Sequence, residues 1–329
     1  MKDTVLILTN SQDGEHSDAV VSKLKQRGYS FFRLDVDRLA SGELKIKFFA
    51  GDGDFGFSVY SEGSVLKSQN VKSVWYRRPN EFNLAIQDAV QKEFAEDELS
   101  SFLEGLWLSL RNVFWINDPH KLERARKKIF QLKVAQEVGF RIPLTVVTND
   151  PKEALALFEE CDQGIIFKTM KRGFVEHGGK GFNIPTTLLT RDHLSKLELI
   201  KKLPSLFQEY IEKDYELRIT VVGEDIFPVK IDSQSFPLTS VDWRRPEFID
   251  KLRYTVVELP VEIKELCFAA MRSLGLQFGA FDLVVDKHGN HIFLEVNPNG
   301  QWYWLERLAG ITVSDSLSQI LTSGFDEGR

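Results

Sequence analysis

The segment Gly279-Ala-Phe-Asp-Leu-Val-Val-Asp-Lys-His-Gly-Asn-His-Ile-Phe-Leu-Glu-Val-Asn-Pro-Asn-Gly300 decides the fold of this 329-residue chain. It predicts two antiparallel strands joined by a turn at residues 287–290, because turn-forming residues interrupt two runs of strand-forming residues. In this register Asp286 lies opposite His291, and Asp282 lies opposite Glu295. Strand side chains alternate between the two faces. One face therefore carries Phe281, Leu283, Val285, Ile292, Leu294 and Val296.

The opposite face of this hairpin carries Asp282, Glu295 and Asn297. Two carboxylates and an amide oxygen suit a hard cation such as Mg²⁺. Without a cation, the two carboxylates would repel each other across the ladder. The alternative is the solvated outer face of an ordinary hairpin. The metal site is favoured, since exposed faces usually mix charge signs and these acids stand beside Val284 and Phe293.

Composition sets broad limits on structure and function. The chain is 43% hydrophobic and 27% charged, with a net charge of −6. Its length predicts two or three subdomains. No nucleic acid or membrane partner is expected, because there is no broad cationic field and no apolar run of spanning length. The N-terminus lacks a signal-peptide pattern, so a cytoplasmic location is expected, with Cys161 and Cys267 reduced.

The N-terminal part predicts a β-α-β unit with parallel strands: a strand at residues 5–9, a helix at 17–27 and a strand at 29–35. Gly51-Asp-Gly53 predicts a hairpin. A helix is expected at 120–138, a strand at 164–168 and an irregular mobile loop at 171–187, where glycines accumulate. Further strands are expected at residues 71–76, 113–119, 206–211, 217–222 and 226–231, and further helices at 85–111 and 262–274. The six histidines, including His16 in a polar turn, show no triad spacing.

Nucleotide binding would need an unusual geometry. The loop Gly173–Gly181 resembles a Walker A motif, but its first glycine is out of register and the Ser/Thr for Mg²⁺ is missing. Another arrangement is available: Lys168 ends a buried strand, Lys128 lies on the preceding helix, and the edge Gln208–Lys213 can hold an adenine. Each lysine or arginine alone has an ordinary alternative, a snorkelling side chain or a surface ion pair, and only the combination favours a nucleotide.

This order of elements resembles the ATP-grasp superfamily over roughly residues 120 to 320. The matching pieces are residues 128–143, the lysine strand 165–168, the linker 208–211, and the strands at 217–223, 281–284 and 293–299. The resemblance implies an α/β fold with an N-terminal pre-ATP-grasp domain at residues 1–117, a central lysine-bearing subdomain at 118–207 and a C-terminal metal-binding subdomain at 208–329.

The same resemblance implies roles for individual residues, with ATP and Mg²⁺ as cofactors. Lys128 and Lys168 would bind phosphates. Gln208, Glu209, Tyr210 and Ile211 would hold the adenine, and either Asp214 or Glu216 the ribose. Asp282, Glu295 and Asn297 would bind Mg²⁺, while Arg218 and Lys230 would stabilise the transferring phosphoryl group and the acyl phosphate. The family activates a carboxylate as an acyl phosphate, which a nucleophile then attacks.

The N-terminal segment Trp75-Tyr-Arg-Arg-Pro79, together with residues 139–151, looks like the microviridin-type peptide maturases. These ATP-grasp enzymes join Asp/Glu to Ser/Thr or Lys side chains of a ribosomal precursor. The resemblance implies a precursor with a leader and an acidic core as partner, and a homodimer. Arg77 and Arg78 would hold acidic side chains, although a strand-ending turn is the alternative. Asp242 and Arg244 would lie near the peptide.

Three alternatives remain open at this stage. Trp243, between Asp242 and Arg244, is either an exposed interface anchor or one packed residue of a loop. An amino-acid ligase of the glutathione-synthetase or ribosomal-protein glutamate-ligase type would share the ATP site and differ only in substrate. A nucleotide-dependent binding protein with a degenerate site is the third reading. The metal triplet argues against that reading, and ADP release would exclude it.

Overall fold

The structure, a computed structural model, describes residues 3–79, 82, 84–171, 173–177 and 180–323. It divides into two compact units. Unit 1 contains the chain up to residue 119, residues 301–303 and the segment from residue 312. Unit 2 contains residues 120–300 and 304–311. The division into three consecutive domains stays a prediction. No helix within the described ranges has the length and apolarity that a membrane crossing requires.

The helices and strands follow in chain order. Up to residue 117 they are β1 (Thr4–Thr9), α1 (Gly14–Gln26), β2 (Ser30–Asp35), α2 (Asp37–Ala40), β3 (Lys45–Gly51), β4 (Asp54–Ser61), β5 (Ser64–Lys67), β6 (Val71–Tyr76), α3 (Ala89–Ser109) and β7 (Phe114–Ile116). They continue with α4 (Pro119–Ala125), α5 (Lys128–Val138), β8 (Thr145–Thr148), α6 (Pro151–Glu160), β9 (Ile165–Lys168), β10 (Phe174–His177), β11 (Lys180–Asn183), β12 (Thr187–Leu188), α7 (Arg191–Leu194), β13 (Ser205–Glu209), β14 (Lys213–Val222), β15 (Asp225–Ile231), β16 (Tyr254–Val256), α8 (Val261–Leu274), β17 (Phe278–Asp286), β18 (His291–Asn297), α9 (Tyr303–Ala309) and α10 (Val313–Ser323).

Unit 1 is built on a parallel sheet in the order β2-β1-β6-β7. Residues Val5–Leu8 of β1 are fully buried, as expected for a strand covered on both faces. Helix α1 buries Val20 and Leu24, so the predicted β-α-β unit is confirmed. The hairpin at Gly51–Gly53 is also confirmed, with Asp52 and Gly53 at positive φ. The third strand of that small sheet, β5, was not predicted.

Unit 2 contains two larger sheets. The four-stranded sheet β12-β9-β13-β8 carries Lys168 at the end of β9. The five-stranded antiparallel sheet β16-β15-β14-β17-β18 packs one face against α5 and α8. Its core includes Ile219, Phe281 and Phe293, together with Met271 of α8. Because β14 and β17 pair over almost their whole length, this sheet is a firm platform for the side chains on its opposite face.

The opening hairpin forms as predicted, with one difference of register. Asp282 lies opposite Glu295, but Leu294 is an extra residue in β18, so Val285 rather than Asp286 faces His291. Such a bulge turns the following side chains to the other face. Phe293 therefore joins the core cluster on this face, whereas Ile292 is buried outside that cluster and Leu294 is only partly buried.

Two further predictions were wrong. The helix expected at residues 120–138 is broken between α4 and α5, where Lys127 has extended backbone angles. The side chain of Gln131 donates to the carbonyl of Ala125, a group that a continuous helix would satisfy internally. The irregular loop expected at 171–187 contains an antiparallel hairpin of β10 and β11. The strand-forming residues on either side of the glycines outweighed the glycine signal.

Candidate active site

Three neighbouring strands bring the acidic residues and an arginine together. Arg218 of β14 lies opposite Asp282 of β17, which lies opposite Glu295 of β18. Nη1 of Arg218 donates to Oδ1 of Asp282 at 2.8 Å, and both residues are buried. A charged pair shielded in this way has a strong and well-defined geometry. Strand pairing therefore places the guanidinium of Arg218 beside Asp282, with the carboxylate of Glu295 on the next strand.

Glu295 is surrounded by positive charge. Nζ of Lys128, at the start of α5, lies 2.9 Å from Oε2 of Glu295, and Nη1 of Arg244 lies 3.3 Å from Oε1. Burial by itself would raise the pKa of Glu295, but Lys128, Arg244 and Lys168 together lower it to about 2. Glu295 is therefore ionised throughout the physiological range, as a metal-binding carboxylate must be.

Lys168 completes the cationic cluster. Burial lowers the pKa of its ammonium to about 8; Glu295 opposes this shift, and the nearby charge of Lys128 adds to it. A lysine with so low a pKa gains much from a neighbouring anion, because an added negative charge favours the protonated form. The cluster of Lys128, Lys168 and Arg244 can accordingly receive an anionic ligand beside Glu295.

Asp242 holds Arg244 in place by a bidentate contact. Nε and Nη2 of Arg244 donate to the two carboxylate oxygens of Asp242, at 2.8 and 3.0 Å. Burial would raise the pKa of Asp242, but the hydrogen bonds and charge of Arg244 bring it well below its usual range. The remaining Nη1 of Arg244 is the group that reaches Glu295. The predicted peptide-side pair and the predicted metal residue therefore form one network.

Trp243 is packed and not exposed. Its side chain is 7% exposed, and its ring centroid lies 5.3 Å from that of Trp304. Tyr254 contacts the same Trp304 ring edge-on at 5.1 Å. The exposed interface anchor considered for Trp243 is thus wrong, and the packed-loop alternative is confirmed. This small aromatic core supports the loop that presents Asp242 and Arg244.

Gln208, at the end of β13, presents a buried acceptor. Its Nε2 donates to Oγ1 of Thr145 on the neighbouring β8 at 2.9 Å, which fixes the amide plane. Within the described residues, its Oε1 is buried without a hydrogen-bond donor. Such an acceptor costs free energy unless a ligand or water satisfies it. An exocyclic amino group, such as that of adenine, is a donor of the required kind.

The residues after Gln208 leave the sheet as a linker toward β14. The backbone N–H of Glu209 donates to Leu144 at 2.8 Å, and that of Tyr210 donates to Gly164 at 2.9 Å. Ile211 follows, half-buried, where β13 has ended. These bonds fix the path of the linker, so its remaining backbone groups occupy defined positions.

The two ribose candidates have different surroundings. Asp214 is exposed beside a bulge of β14. Glu216 is buried, and burial raises its pKa although Lys213 opposes the shift. Nζ of Lys213 donates to Glu216 at 2.6 Å and to the carbonyl of Val241 at 3.0 Å. Because Glu216 already has a charged partner, Asp214 is the more accessible acceptor.

The described contacts of Lys230 lie within its own part of the sheet. Its Nζ is 3.2 Å from Asp232 and 4.4 Å from the centre of the Tyr215 ring. It lies opposite Leu217 on β14, one position from Arg218. The described contacts therefore do not join Lys230 to Glu295 and Asp282.

Arg77 and Arg78 belong to unit 1 and differ from each other. Arg77 is 1% exposed, and its Nε lies 3.1 Å from Oδ2 of Asp13. Burial lowers the pKa of Arg77 to about 10, although Asp13 opposes the shift. Arg78 has an exposed side chain, and its backbone carbonyl accepts a hydrogen bond from Asn10 at 2.7 Å. Of the two, Arg78 presents its guanidinium to solvent.

The predicted metal ligands fit Mg²⁺ by their chemistry. Asp282 and Glu295 supply carboxylates, and Asn297 supplies an amide oxygen two residues further along β18. Oδ1 of Asn297 accepts the N–H of Asn299 at 3.0 Å, which orients the amide. Within the described ranges, no three or more His, Cys, Asp or Glu side chains are grouped for a metal. The set is two carboxylates plus one amide, a donor combination of hard oxygens.

Two residues of this region were missed by the sequence reasoning. Lys213 and Gln131 are buried polar side chains, and each donates to a backbone carbonyl distant in the sequence, that of Val241 and that of Val296 respectively. Their partners appear only when strands and helices are packed. The one available signal was the position of Gln131, three residues after Lys128 and so on the same face of a helix.

Comparison with known proteins finds a family model and solved structures that are similar to this chain. A family model described as the MvdD pre-ATP-grasp domain matches residues 4–123. The solved structure of the macrocyclase MdnC bound with precursor peptide MdnA, from Microcystis aeruginosa MRC, is 30% identical, with a TM-score of 0.87. The similarity covers 98% of this chain and 100% of MdnC.

A second structure is similarly close. The RiPP-associated ATP-grasp ligase of Chryseobacterium gregarium, solved with ADP and a leader and core peptide, is 28% identical with a TM-score of 0.91. The similarity covers 98% of this chain and 97% of that ligase. A probable alpha-L-glutamate ligase of Histophilus somni strain 2336 is 24% identical over 208 residues. That match spans 62% of this chain and 66% of the glutamate ligase, just under two thirds of its length.

Proposed function

The chain belongs to the ATP-grasp ligases, in the group that contains the microviridin-type macrocyclases, and on this premise we propose that it cyclises a ribosomally made precursor peptide. The acceptors would be Asp or Glu side chains, joined to Ser or Thr as esters or to Lys as amides. The observation that carries the proposal is the meeting of Lys128, Lys168 and Arg244 around Glu295, beside the pair of Arg218 and Asp282.

The proposed reaction has two steps. A carboxylate oxygen of the peptide attacks the γ-phosphorus of ATP, the bond to the β-phosphate oxygen breaks, and ADP leaves. A hydroxyl or amine then attacks the acyl carbon, loses its proton, and displaces phosphate. Each ring therefore forms with net loss of one water from the peptide and conversion of one ATP to ADP and phosphate. Bound ATP would supply the phosphoryl group, and Mg²⁺ held by Asp282, Glu295 and Asn297 would neutralise its developing charge.

The protein's contribution in this proposal is positioning and electrostatics. Asp282, Glu295 and Asn297 would hold Mg²⁺, and Lys128 with Lys168 would hold the phosphates. Residues 208–211 and Asp214 or Glu216 would hold the nucleoside. On binding, the metal and the phosphates would replace the ion pairs that Glu295 makes with Lys128 and Arg244. Those cations would then face the transferred phosphoryl group.

The substrate side of the proposal involves six residues. Arg218 would stabilise the acyl phosphate and the tetrahedral intermediate, and Lys230 is the second candidate for this role. Arg244, held by Asp242, would face the acidic peptide side chain. Arg78 offers an exposed guanidinium to the acidic core peptide. Arg77 is buried against Asp13 and would act only by holding the backbone next to Arg78. A cytoplasmic homodimer is part of the same proposal, and light scattering would test the dimer.

An amino-acid ligase is the second candidate, supported by the similarity to a probable alpha-L-glutamate ligase. It would use the same ATP and metal residues. The macrocyclase is favoured because the likeness to MdnC extends over almost the whole of both chains. The product distinguishes the two functions, since one removes water from a peptide and the other adds an amino acid.

The test is an intact-mass measurement. The purified protein is incubated with ATP, Mg²⁺ and an acidic precursor peptide containing Ser, Thr and Lys that is encoded beside its gene. We expect loss of one or more waters with matching ADP release, and no product from Asp282→Asn. A gain of amino-acid mass in the presence of free glutamate would establish the ligase instead. Full turnover by Asp282→Asn would refute the metal assignment.

A further inference from the structure

We propose that Gln131 is a positioning residue that fixes the backbone between the two metal-binding side chains of β18. The inference rests on the proposed function, since it concerns the Mg²⁺ site. Gln131 is 5% exposed and lies on α5, one turn after Lys128. Its amide group contacts the backbone of Val296, the residue between Glu295 and Asn297.

Gln131 pairs with Val296 through both ends of its amide. Nε2 donates to the carbonyl of Val296 at 2.7 Å, and the N–H of Val296 donates to Oε1 at 3.1 Å. A neighbouring strand would make the same two bonds with a residue of a sheet edge. Strand β18 is such an edge, because it ends the order β16-β15-β14-β17-β18. The side chain of Gln131 thus makes the two hydrogen bonds of a neighbouring strand at the position between Glu295 and Asn297.

The contact restricts both ligands at once. Glu295 and Asn297 flank Val296 and point to the face opposite to it, so the Val296 peptide groups set the direction of both side chains. On the same outer edge of β18, the N–H of Phe293 donates to the carbonyl of Arg141 at 2.9 Å, before the Leu294 bulge. This bond cannot fix the strand beyond the bulge. Gln131 supplies that restraint.

A third hydrogen bond connects this restraint to the helix carrying Lys128. Nε2 of Gln131 also donates to the carbonyl of Ala125 at 2.6 Å, across the break between α4 and α5. Lys128 is the first residue of α5, directly after this break, and its Nζ contacts Glu295. The same glutamine therefore sets the start of α5 and the end of β18, two elements that carry a phosphate-binding and a metal-binding candidate.

Removing the amide should act on metal binding more than on folding. In known metal sites, losing a group that orients a ligand lowers metal affinity about 10–100-fold. Gln131→Met keeps the length and the apolar stem but cannot pair with Val296. Gln131→Glu keeps an acceptor for the Val296 N–H and loses the donor for both carbonyls. Gln136→Met, at an exposed position of α5, is the matched control.

The experiment measures Mn²⁺ affinity by electron paramagnetic resonance, with the full chain saturated by a non-hydrolysable ATP analogue. Circular dichroism melting is recorded in parallel. We expect the Gln131 variants to fold, to retain analogue binding, and to bind Mn²⁺ about 10–100-fold more weakly than the wild type and Gln136→Met. Equal Mn²⁺ affinity in a folded Gln131 variant would overturn the inference. So would failure of both variants to fold, since glutamine would then serve the fold and not the site.

The result separates this inference from the proposed function. If the wild-type protein binds no Mn²⁺ beside the nucleotide analogue, the metal assignment itself fails, and the role of Gln131 fails with it. If the wild type binds Mn²⁺ and Gln131→Met binds it equally well, the function stands and only the positioning role is lost.

Discussion

Lys168 is the residue whose charge state responds most directly to the proposed ligand. Burial lowers its pKa to about 8, so the ammonium is largely protonated at pH 7 and largely neutral at pH 9. Nucleotide phosphates attract only the protonated form. We therefore expect the affinity for ADP and Mg²⁺ to fall by up to about tenfold between pH 7 and pH 9, as measured by titration calorimetry.

The variant Lys168→Gln tests the same assignment. A hydrogen bond to a charged group contributes about 1.5–3 kcal/mol, so the affinity at pH 7 should fall about 10–100-fold. Its dependence on pH between 7 and 9 should largely disappear. Lys133→Gln, an exposed lysine of α5 paired with Glu137, should match the wild type. Unchanged nucleotide affinity in Lys168→Gln would remove this residue from the phosphate site.

Sequence reasoning was most successful where one strand register decided the contact. Asp282 and Glu295 lie opposite each other as the hairpin pattern predicted, although their pairing also depends on the extra residue Leu294 between them and the turn. It could not find Gln131, whose partners are backbone groups of a strand 165 residues away. Main-chain partners leave no pattern of residue types in the sequence. The same holds for Lys213, which binds the carbonyl of Val241.

Among the elements, the hairpin of β17 and β18 offers a direct test of the bulge. Phe293 is buried against Phe140 and Phe281, while Leu294 is only partly buried. We expect Phe293→Ala to lower the free energy of unfolding by about 3–5 kcal/mol, and Leu294→Ala by less than about 2 kcal/mol. Urea denaturation measures both. If Leu294→Ala lost more stability than Phe293→Ala, the result would contradict the bulge and favour the register without it.

The segment between β15 and β16 is held by a buried ion pair. Lys213 bonds both Glu216 and the carbonyl of Val241, the residue that precedes Asp242. Removing one partner of a buried pair costs about 3–5 kcal/mol, because the other charge remains buried. Lys213→Met should therefore destabilise the protein by about that amount and weaken peptide binding by loosening Arg244.

The matched control for Lys213 is Lys287→Met. Lys287 pairs with Glu212 at the surface, where solvent screens the ion pair and its contribution to stability is small. Denaturation with urea and the KM for the precursor peptide are measured for both variants. If Lys213→Met is as stable as Lys287→Met, the buried pair does not support this segment.

At the scale of elements, sequence periodicity identified the long strands and helices and failed at their interruptions. The break between α4 and α5 contains no Gly or Pro, and is stabilised by the side chain of Gln131. Glycines at positions 178 and 179 normally indicate a loop, yet residues 174–177 and 180–183 on either side pair as antiparallel strands. Both cases depend on hydrogen bonds between particular groups, which the periodicity of residue types does not indicate.

At the scale of the whole molecule, the chain passes between the two units more than once. Residues 301–303 belong to unit 1, although residues 120–300 before them and 304–311 after them belong to unit 2. Helix α10 also packs in unit 1, where its residue Asp315 pairs with Lys23 at 2.9 Å.

His16 anchors one of these crossings within unit 1. It was expected in a polar turn, but it is buried, and its Nε2 accepts the backbone N–H groups of Trp302 at 3.2 Å and Tyr303 at 3.3 Å. Only the neutral ring can accept these bonds. Burial, with the charges of Arg77 and Arg78, lowers the pKa of His16 to about 3. Asp13, 3.9 Å away, does not offset this shift.

The stability of the protein should therefore fall on mild acidification. Because the pKa of His16 is lower in the folded state than its ordinary value of 6.5, the unfolded state binds the extra proton between pH 6.5 and pH 3. Stability is present above pH 6.5 and is lost below it, by about 2 kcal/mol at pH 5. Urea denaturation followed by tryptophan fluorescence at pH 5, 6 and 7 should show this loss.

His16→Gln should lose less stability over this pH range, since glutamine offers an acceptor that does not titrate. The control His288→Gln, in the exposed turn of the hairpin, should retain the full pH dependence. An equal pH dependence in all three proteins would show that the crossing at residues 301–303 is held by other contacts.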